Sequence, residues 1–343
     1  IKSLIAESGD ERFAYDAYRR LVMMYADVVM EKGAGLEPKG GKSIRKKLDE
    51  QLEHIKKQRG YTSDTDLTAD ELKSLVKSYK STVKKVLGTP FPEDPWDQLW
   101  GGIGAVFASW KGKRAIEYRR LNDLPDSIGT AVTVQRMVFG NAGGTSGAGV
   151  AFTRDPAGGD NRLYVDFLFN SQGEDVVSGR FAAGDAERLQ TVLPEVWARL
   201  ETVRGTLEAE FRDAQEFEFT VQDGELFLLQ TRSGKRTPWA ALRIAVDQVR
   251  EGLIAPDEAL HRLDGIDLDS LERKRLAPGV EQEMLGRAVP AGIGLAGGAI
   301  ALDAAAAQRL VAEGRRALLV REDTLTEDIA GLAACEGLLT LRG

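Results

Sequence analysis

Apolar positions set out the first part of the chain as helices. Phe13, Ala17, Leu21, Tyr25 and Val28 recur at three- and four-residue intervals and predict an amphipathic helix stopped by Gly33. Thr68 and Glu71 form a capping box, and the helix behind it carries Leu72, Leu75, Val76, Tyr79, Val83 and Val86 on one stripe. Three prolines between Thr89 and Pro95 interrupt the helical pattern and mark a boundary.

Beyond that boundary the period shortens. Segments 130–139, 149–154, 162–170, 215–222 and 225–231 are rich in Val, Phe, Thr and Leu and predict strands, with helices near 96–110 and 186–212. A helix over 238–251 follows, then one opened by Pro256, whose missing N–H is harmless at a first helical position. A polar segment runs to about Pro278. Then Gly292, Gly294, Gly297 and Gly298 precede a strand at 316–320, a helix at 327–335 and a strand at 337–341. The pattern predicts an α+β chain of two or three domains.

Composition narrows the function classes. The chain has 43% apolar and 29% charged residues, an ordinary globular balance. No apolar run approaches the roughly 18–20 residues of a bilayer span, so no membrane partner is expected. Residues 39–87 hold 13 Lys and Arg against 7 Asp and Glu, whereas the whole chain carries a net charge of −7. This local excess reads as a solvated helix face, with Tyr79 on the apolar stripe and the lysines mostly between its positions, and no nucleic-acid partner is expected. One cysteine gives no Cys-based metal cluster and two histidines leave little room for a His-built one; Cys335 reads as a small hydrophobe and His54 and His261 as ordinary helix residues. The glycines between Asn141 and Gly149 read as a connection between strands, since no P-loop Lys-Ser/Thr follows them.

The chemistry concentrates in 216–232, where two alternating runs flank Asp223-Gly224, a hairpin signal. An unbroken two-residue loop would oppose Glu218 with Leu229 and turn Gln230 to the other face. A three-residue loop, Gln222-Asp223-Gly224, opposes Glu218 with Leu228 and Glu216 with Gln230. It sends Glu216, Glu218, Gln230 and Arg232 to one face and Phe217, Phe219, Val221, Phe227 and Leu229 to the other. Gly224 suits the left-handed last position of that loop, so the three-residue form is expected. Such a patch of carboxylate, amide and guanidinium suits Mg²⁺ and phosphate. Taken alone, the same alternation more commonly marks a solvated sheet face.

The segments Gln215-Glu-Phe-Glu-Phe-Thr-Val-Gln and Leu228-Leu-Gln-Thr-Arg-Ser-Gly-Lys-Arg-Thr resemble the ATP-grasp nucleotide-binding domain of the pyruvate, phosphate dikinase family. Further segments match in order: those starting at Arg12, Asp94, Val134, Ser146, Gln172 and Glu336. The resemblance runs nearly end to end. It implies a helical insertion at 1–92, an ATP-grasp subdomain at 93–237, a helical linker at 238–283 and the start of a swivelling α/β phosphohistidine domain at 284–343. It implies Mg²⁺ held by Glu218 and Gln230, and ATP contacted by Arg232, Glu216, Gln135, Met137 and Val138. Glu216 stands where the family typically has Asp.

The implied reaction uses ATP, phosphate and pyruvate and yields AMP, diphosphate and phosphoenolpyruvate, in a cytoplasmic, homodimeric enzyme. The phosphorylated histidine is expected just beyond Gly343, and the upstream half of the ATP-grasp domain finds no match here. The 343-residue chain alone is therefore expected to be inactive. Phosphoenolpyruvate synthase, antibiotic phosphotransferases and a catalytically incomplete nucleotide-binding module are the alternatives.

Overall fold

The computed structural model describes residues 1–36, 42–121, 123–177, 186–267, 295–322 and 329–341, with 271, 279, 285 and 286. The polar segment up to Pro278, together with Gly292 and Gly294, lies largely or wholly outside them. The chain divides into two compact units, Ile1–Arg136 and Met137–Gly343.

The first unit is helical. After α1 (Lys2–Ser8), α2 (Glu11–Tyr25) passes into a π-helical stretch, Ala26–Lys32. Helices α3 (Ile44–Arg59) and α4 (Ala69–Leu87) pack against it around Val22, Tyr25, Leu48, Leu72, Leu75 and Tyr79. The Thr68–Glu71 capping box forms as the sequence indicates, and Gly88 ends α4 in the left-handed conformation. The stripe expected on α2 is only partly the buried one. Leu21 and Val28 are exposed, whereas Asp16 and Arg19 are buried as an ion pair at 2.7 Å. Asp64 completes this pair at 3.3 Å, so a polar core replaces two of the expected apolar contacts. Helices α5 (Pro95–Ser109) and α6 (Lys113–Leu121) follow, α5 capped by Asp94.

Residues 130–139 form no strand. Among the described residues no partner strand pairs with them, and Val134 and Met137 are exposed. Alternation of side chains gives a strand only where a neighbour completes the backbone ladder.

The second unit is built on a four-stranded antiparallel sheet ordered β2-β1-β3-β4. Its strands are β1 (Gly147–Phe152), β2 (Tyr164–Phe169), β3 (Gln215–Gln222) and β4 (Glu225–Ser233). The short helix α7 (Gly173–Val177) follows β2. Helices α8 (Ala186–Val192) and α9 (Pro194–Phe211) cover one face, packing Leu189, Val196 and Leu200 on Ala151, Phe167, Phe217, Phe219 and Val221. Phe167 and Phe219 stack with ring centres 5.7 Å apart. Gly149 makes this possible, because a Cβ there would lie 2.6 Å from the Phe219 ring and 2.7 Å from the Asp166 carbonyl oxygen.

Helices α10 (Pro238–Arg250) and α11 (Pro256–Arg262) are tied to the sheet. Arg154, at the end of β1 and almost fully buried, donates to Glu208 on α9 and to Glu251 after α10. The chain ends in a three-stranded parallel sheet, β5 (Ala299–Ala301), β6 (Ala317–Arg321) and β7 (Gly337–Thr340), with α12 (Ala304–Ala312) and α13 (Ile329–Ala334).

Candidate nucleotide site

The hairpin of β3 and β4 turns through two residues, not three. Asp223 and Gly224 both take positive φ, 51° and 81°, the requirement of a type I′ turn. Gln222 pairs with Glu225 and Val221 with Leu226. The register then shifts between Glu218 and Phe219, where β4 carries Leu229 as an extra, unpaired residue. Beyond this bulge Glu218 faces Gln230 and Glu216 faces Arg232. The expected pairings of Glu218 with Leu228 and Glu216 with Gln230 are thus replaced, yet the four polar side chains still share one face.

The bulge also moves the apolar residues. Leu226 packs on the core and Phe227 lies opposite Thr220 on the carboxylate face, the reverse of the expected placement for Phe227. Leu229 lines a cleft of about 280 Å³ together with Glu218, Val150, Val176, Gly149, Gly173 and Phe219.

Within the face, residues align in rows across the sheet. One row runs Tyr164, Phe152, Glu216, Arg232; the next runs Asp166, Val150, Glu218, Gln230. The Gln230 side-chain amide donates to a Glu218 carboxylate oxygen at 3.1 Å. That bond turns the amide N–H₂ toward Glu218 and leaves the Gln230 carbonyl oxygen and the second Glu218 oxygen to meet a cation. Two hard oxygen donors fit Mg²⁺, which fills its octahedron mostly with water and phosphate oxygens. Among the described residues no group of three or more His, Cys, Asp and Glu could hold a metal, so a metal here would take few protein ligands.

Glu216 is buried and its carboxylate accepts from the Arg232 guanidinium. That bond raises the Arg232 pKa further. Arg232 itself is half exposed, so its remaining N–H groups can take an anion.

Gln135, Met137 and Val138 lie in the stretch without regular secondary structure before the sheet, Gln135 and Met137 exposed and Val138 half-buried. Gln135 belongs to the first unit, and Met137 and Val138 to the second. The amide of Phe139, next in the chain, donates to the Gln222 side chain at 2.8 Å. Two residues escaped the sequence reading. Asp166 shares the Glu218 row, and burial raises its carboxyl pKa. The alternation of Tyr164, Asp166 and Leu168 was its only signal. Gln222 had none, because its contact depends on how the hairpin tip meets a distant segment.

Residues 95–190 match the family described as pyruvate phosphate dikinase, AMP/ATP-binding domain. The whole chain is 45% identical over 355 residues to pyruvate, phosphate dikinase of Rhizobium meliloti (strain 1021), covering 38% of that protein. It is 44% identical over 346 residues to the Clostridium symbiosum dikinase, again covering 38% of it. With the chloroplastic dikinase 1 of Zea mays, 99% of this chain aligns at 42% identity, covering 35% of that protein. Over its whole length the chain is similar to pyruvate, phosphate dikinases. It spans little more than a third of the length of these relatives, and the part matched includes an ATP-grasp-type nucleotide-binding domain. Among the described residues no helix is long and apolar enough to cross a membrane.

Proposed function

We propose that this chain is the nucleotide-binding portion of a pyruvate, phosphate dikinase. The whole enzyme converts pyruvate, ATP and phosphate to phosphoenolpyruvate, AMP and diphosphate through a phosphohistidine. In this reading 1–92 is a helical insertion, 93–237 the ATP-grasp subdomain, 238–283 a linker and 284–343 the start of the swivelling domain. The observation that carries it is the row pair on one sheet face, Glu218 with Gln230 beside Glu216 with Arg232.

Glu218 and Gln230 would hold Mg²⁺, which when bound neutralises phosphate charge. Arg232 binds a phosphate oxygen, and Glu216 orients Arg232. Gln135, Met137 and Val138 take the purine and ribose end. The protein's contribution is positioning and charge neutralisation rather than covalent chemistry at these residues.

The test is product analysis of the full-length enzyme carrying this segment, with ATP, pyruvate and Mg²⁺. AMP and diphosphate should both form, diphosphate only when inorganic phosphate is added. ADP as the product would sink the reading. AMP without any need for phosphate would favour a phosphoenolpyruvate synthase-like relative.

A further inference from the structure

The tip of the β3–β4 hairpin is bolted to the segment that precedes β1. Three backbone or side-chain bonds make the joint. The Phe139 amide donates to Gln222 Oε1 at 2.8 Å, the Asp223 amide to Ser146 Oγ at 2.9 Å, and the Gly224 amide to the Thr145 carbonyl at 3.0 Å. Ser146 is fully buried, and its carbonyl in turn accepts from the Asn170 amide at 2.8 Å. Gly140 is pressed so closely on this frame that a Cβ would fall 2.2 Å from the Ser171 carbonyl oxygen. The chain from Phe139 to Ser146 is thereby fixed at both ends, and only one of the three bonds, that of Gln222, involves a side chain of the strand that carries Glu218.

Gln222 lies four residues beyond Glu218 on β3. At about 3.3 Å per residue the two are roughly 13 Å apart along one rigid strand, the scale of a nucleoside triphosphate. In the nucleotide reading Glu218, midway along β3, meets the metal and phosphates, while Gln222 at the end of the strand grips the backbone next to Met137 and Val138. We propose that Gln222 is a positioning residue for the purine end of the nucleotide. It fixes the Met137–Val138 backbone at a set distance from Glu218 and Gln230, so that base and phosphates are bound in one register. This deepens the nucleotide reading above and rests on it. Gln222 touches no reacting atom; it acts through the Phe139 amide.

The experiment compares Gln222→Met, which keeps bulk without an acceptor, with Gln222→Glu, which keeps an acceptor oxygen. Both are made in the full-length dikinase carrying this segment, and calorimetry measures AMP and Mg²⁺–tripolyphosphate as separate probes of the two ends. Gln222→Met should bind AMP about five- to tenfold more weakly, the worth of one ordinary hydrogen bond, and bind tripolyphosphate as the wild type does. Gln222→Glu should restore AMP binding.

Unchanged AMP affinity in Gln222→Met overturns the proposal. So does an equal loss of both probes, which would mean a general loosening of the sheet. Hydrogen exchange at the Phe139 amide of the wild type gives a measurement that no variant's folding can spoil. Exchange should slow when AMP binds; a rate indifferent to AMP overturns the role. A wild-type enzyme that binds neither probe would instead overturn the nucleotide assignment itself, and this inference with it.

Discussion

Glu218 and Gln230 face each other across the hairpin because β4 takes up Leu229 as a bulge instead of pairing it with Glu218. Without Leu229 as a bulge, the two-residue turn at Asp223-Gly224 would send Gln230 to the helix-covered face, away from Glu218. The bulge re-aims one side chain and thereby assembles a pair of oxygen donors from a regular ladder. The same device sets Arg232 opposite Glu216, so a single bulge aligns both halves of the polar face.

The pair predicts a metal phenotype. Glu218→Gln in the full-length enzyme should raise the Mg²⁺ concentration that half-saturates nucleotide binding by about 10- to 100-fold, on the scale of losses seen when metal sites are disturbed. Mn²⁺ serves as the spectroscopic probe, titrated in the presence of a non-hydrolysable ATP analogue. Identical titrations for variant and wild type would remove Glu218 from the site.

Packing on the other face predicts a stability phenotype. Gly149→Ala would place a methyl group against the Phe219 ring and the Asp166 carbonyl, both closer than 3 Å. The backbone oxygen cannot rotate away, so the strands must part. Such overpacking costs about 1–3 kcal/mol. Urea unfolding of the variant should show a lower midpoint; an unchanged midpoint would mean the sheet yields there without strain.

Two aspartates predict opposite responses to acid. Burial alone would raise the Asp155 carboxyl, but the Gly158 and Ala157 amides and the Arg162 guanidinium outweigh it and hold it below the ordinary range. Its contribution to stability is complete above the unfolded value of about 3.9 and is lost as pH falls through the lower folded value. Asp155→Asn should therefore weaken the fold at neutral pH and flatten the loss of stability below about pH 4. Asp166 is the reverse, its carboxyl raised by burial. Its charge opposes folding as pH rises from the unfolded value through the folded one, so Asp166→Asn should stabilise the protein at neutral pH. Thermal unfolding across pH 3–8 checks both signs, and a stabilised Asp155→Asn or a destabilised Asp166→Asn would contradict them.

What the sequence disclosed follows the range of the interactions. The Thr68–Glu71 capping box and the α4 stripe are local and could be read directly. The α2 stripe could be read only in part, since the burial of Asp16 and Arg19 depends on Asp64, far along the chain. The sharing of a face by Glu216, Glu218, Gln230 and Arg232 was legible, but the turn that achieves it was not. Leu226 to Leu229 are all apolar, so no alternation within them marks where the extra residue sits. The strand expected at 130–139 failed for the complementary reason: its residues have the right propensity, but a ladder needs a neighbour.

The sharpest separation of roles lies between Arg232 and Gln135. An arginine beside the phosphates gains most when charge redistributes on the transferring group, whereas contacts to the purine hold the ground state and transition state alike. Arg232→Ala in the full-length enzyme should therefore lower the single-turnover rate of histidine phosphorylation by about 10²–10³-fold, with a smaller effect on ATP affinity. Gln135→Ala should weaken ATP binding and leave the rate at saturation nearly intact. Arg232 also pairs with buried Glu216, so its loss leaves a carboxylate without its cation. A structural contribution from that pair would lower thermal stability in Arg232→Ala and be restored by Arg232→Lys. A phosphate-binding fork would not be restored, because an ammonium cannot reproduce the planar, two-bond geometry. If Arg232→Ala phosphorylates histidine at the wild-type rate once saturated with ATP, Arg232 serves the sheet and not the phosphates.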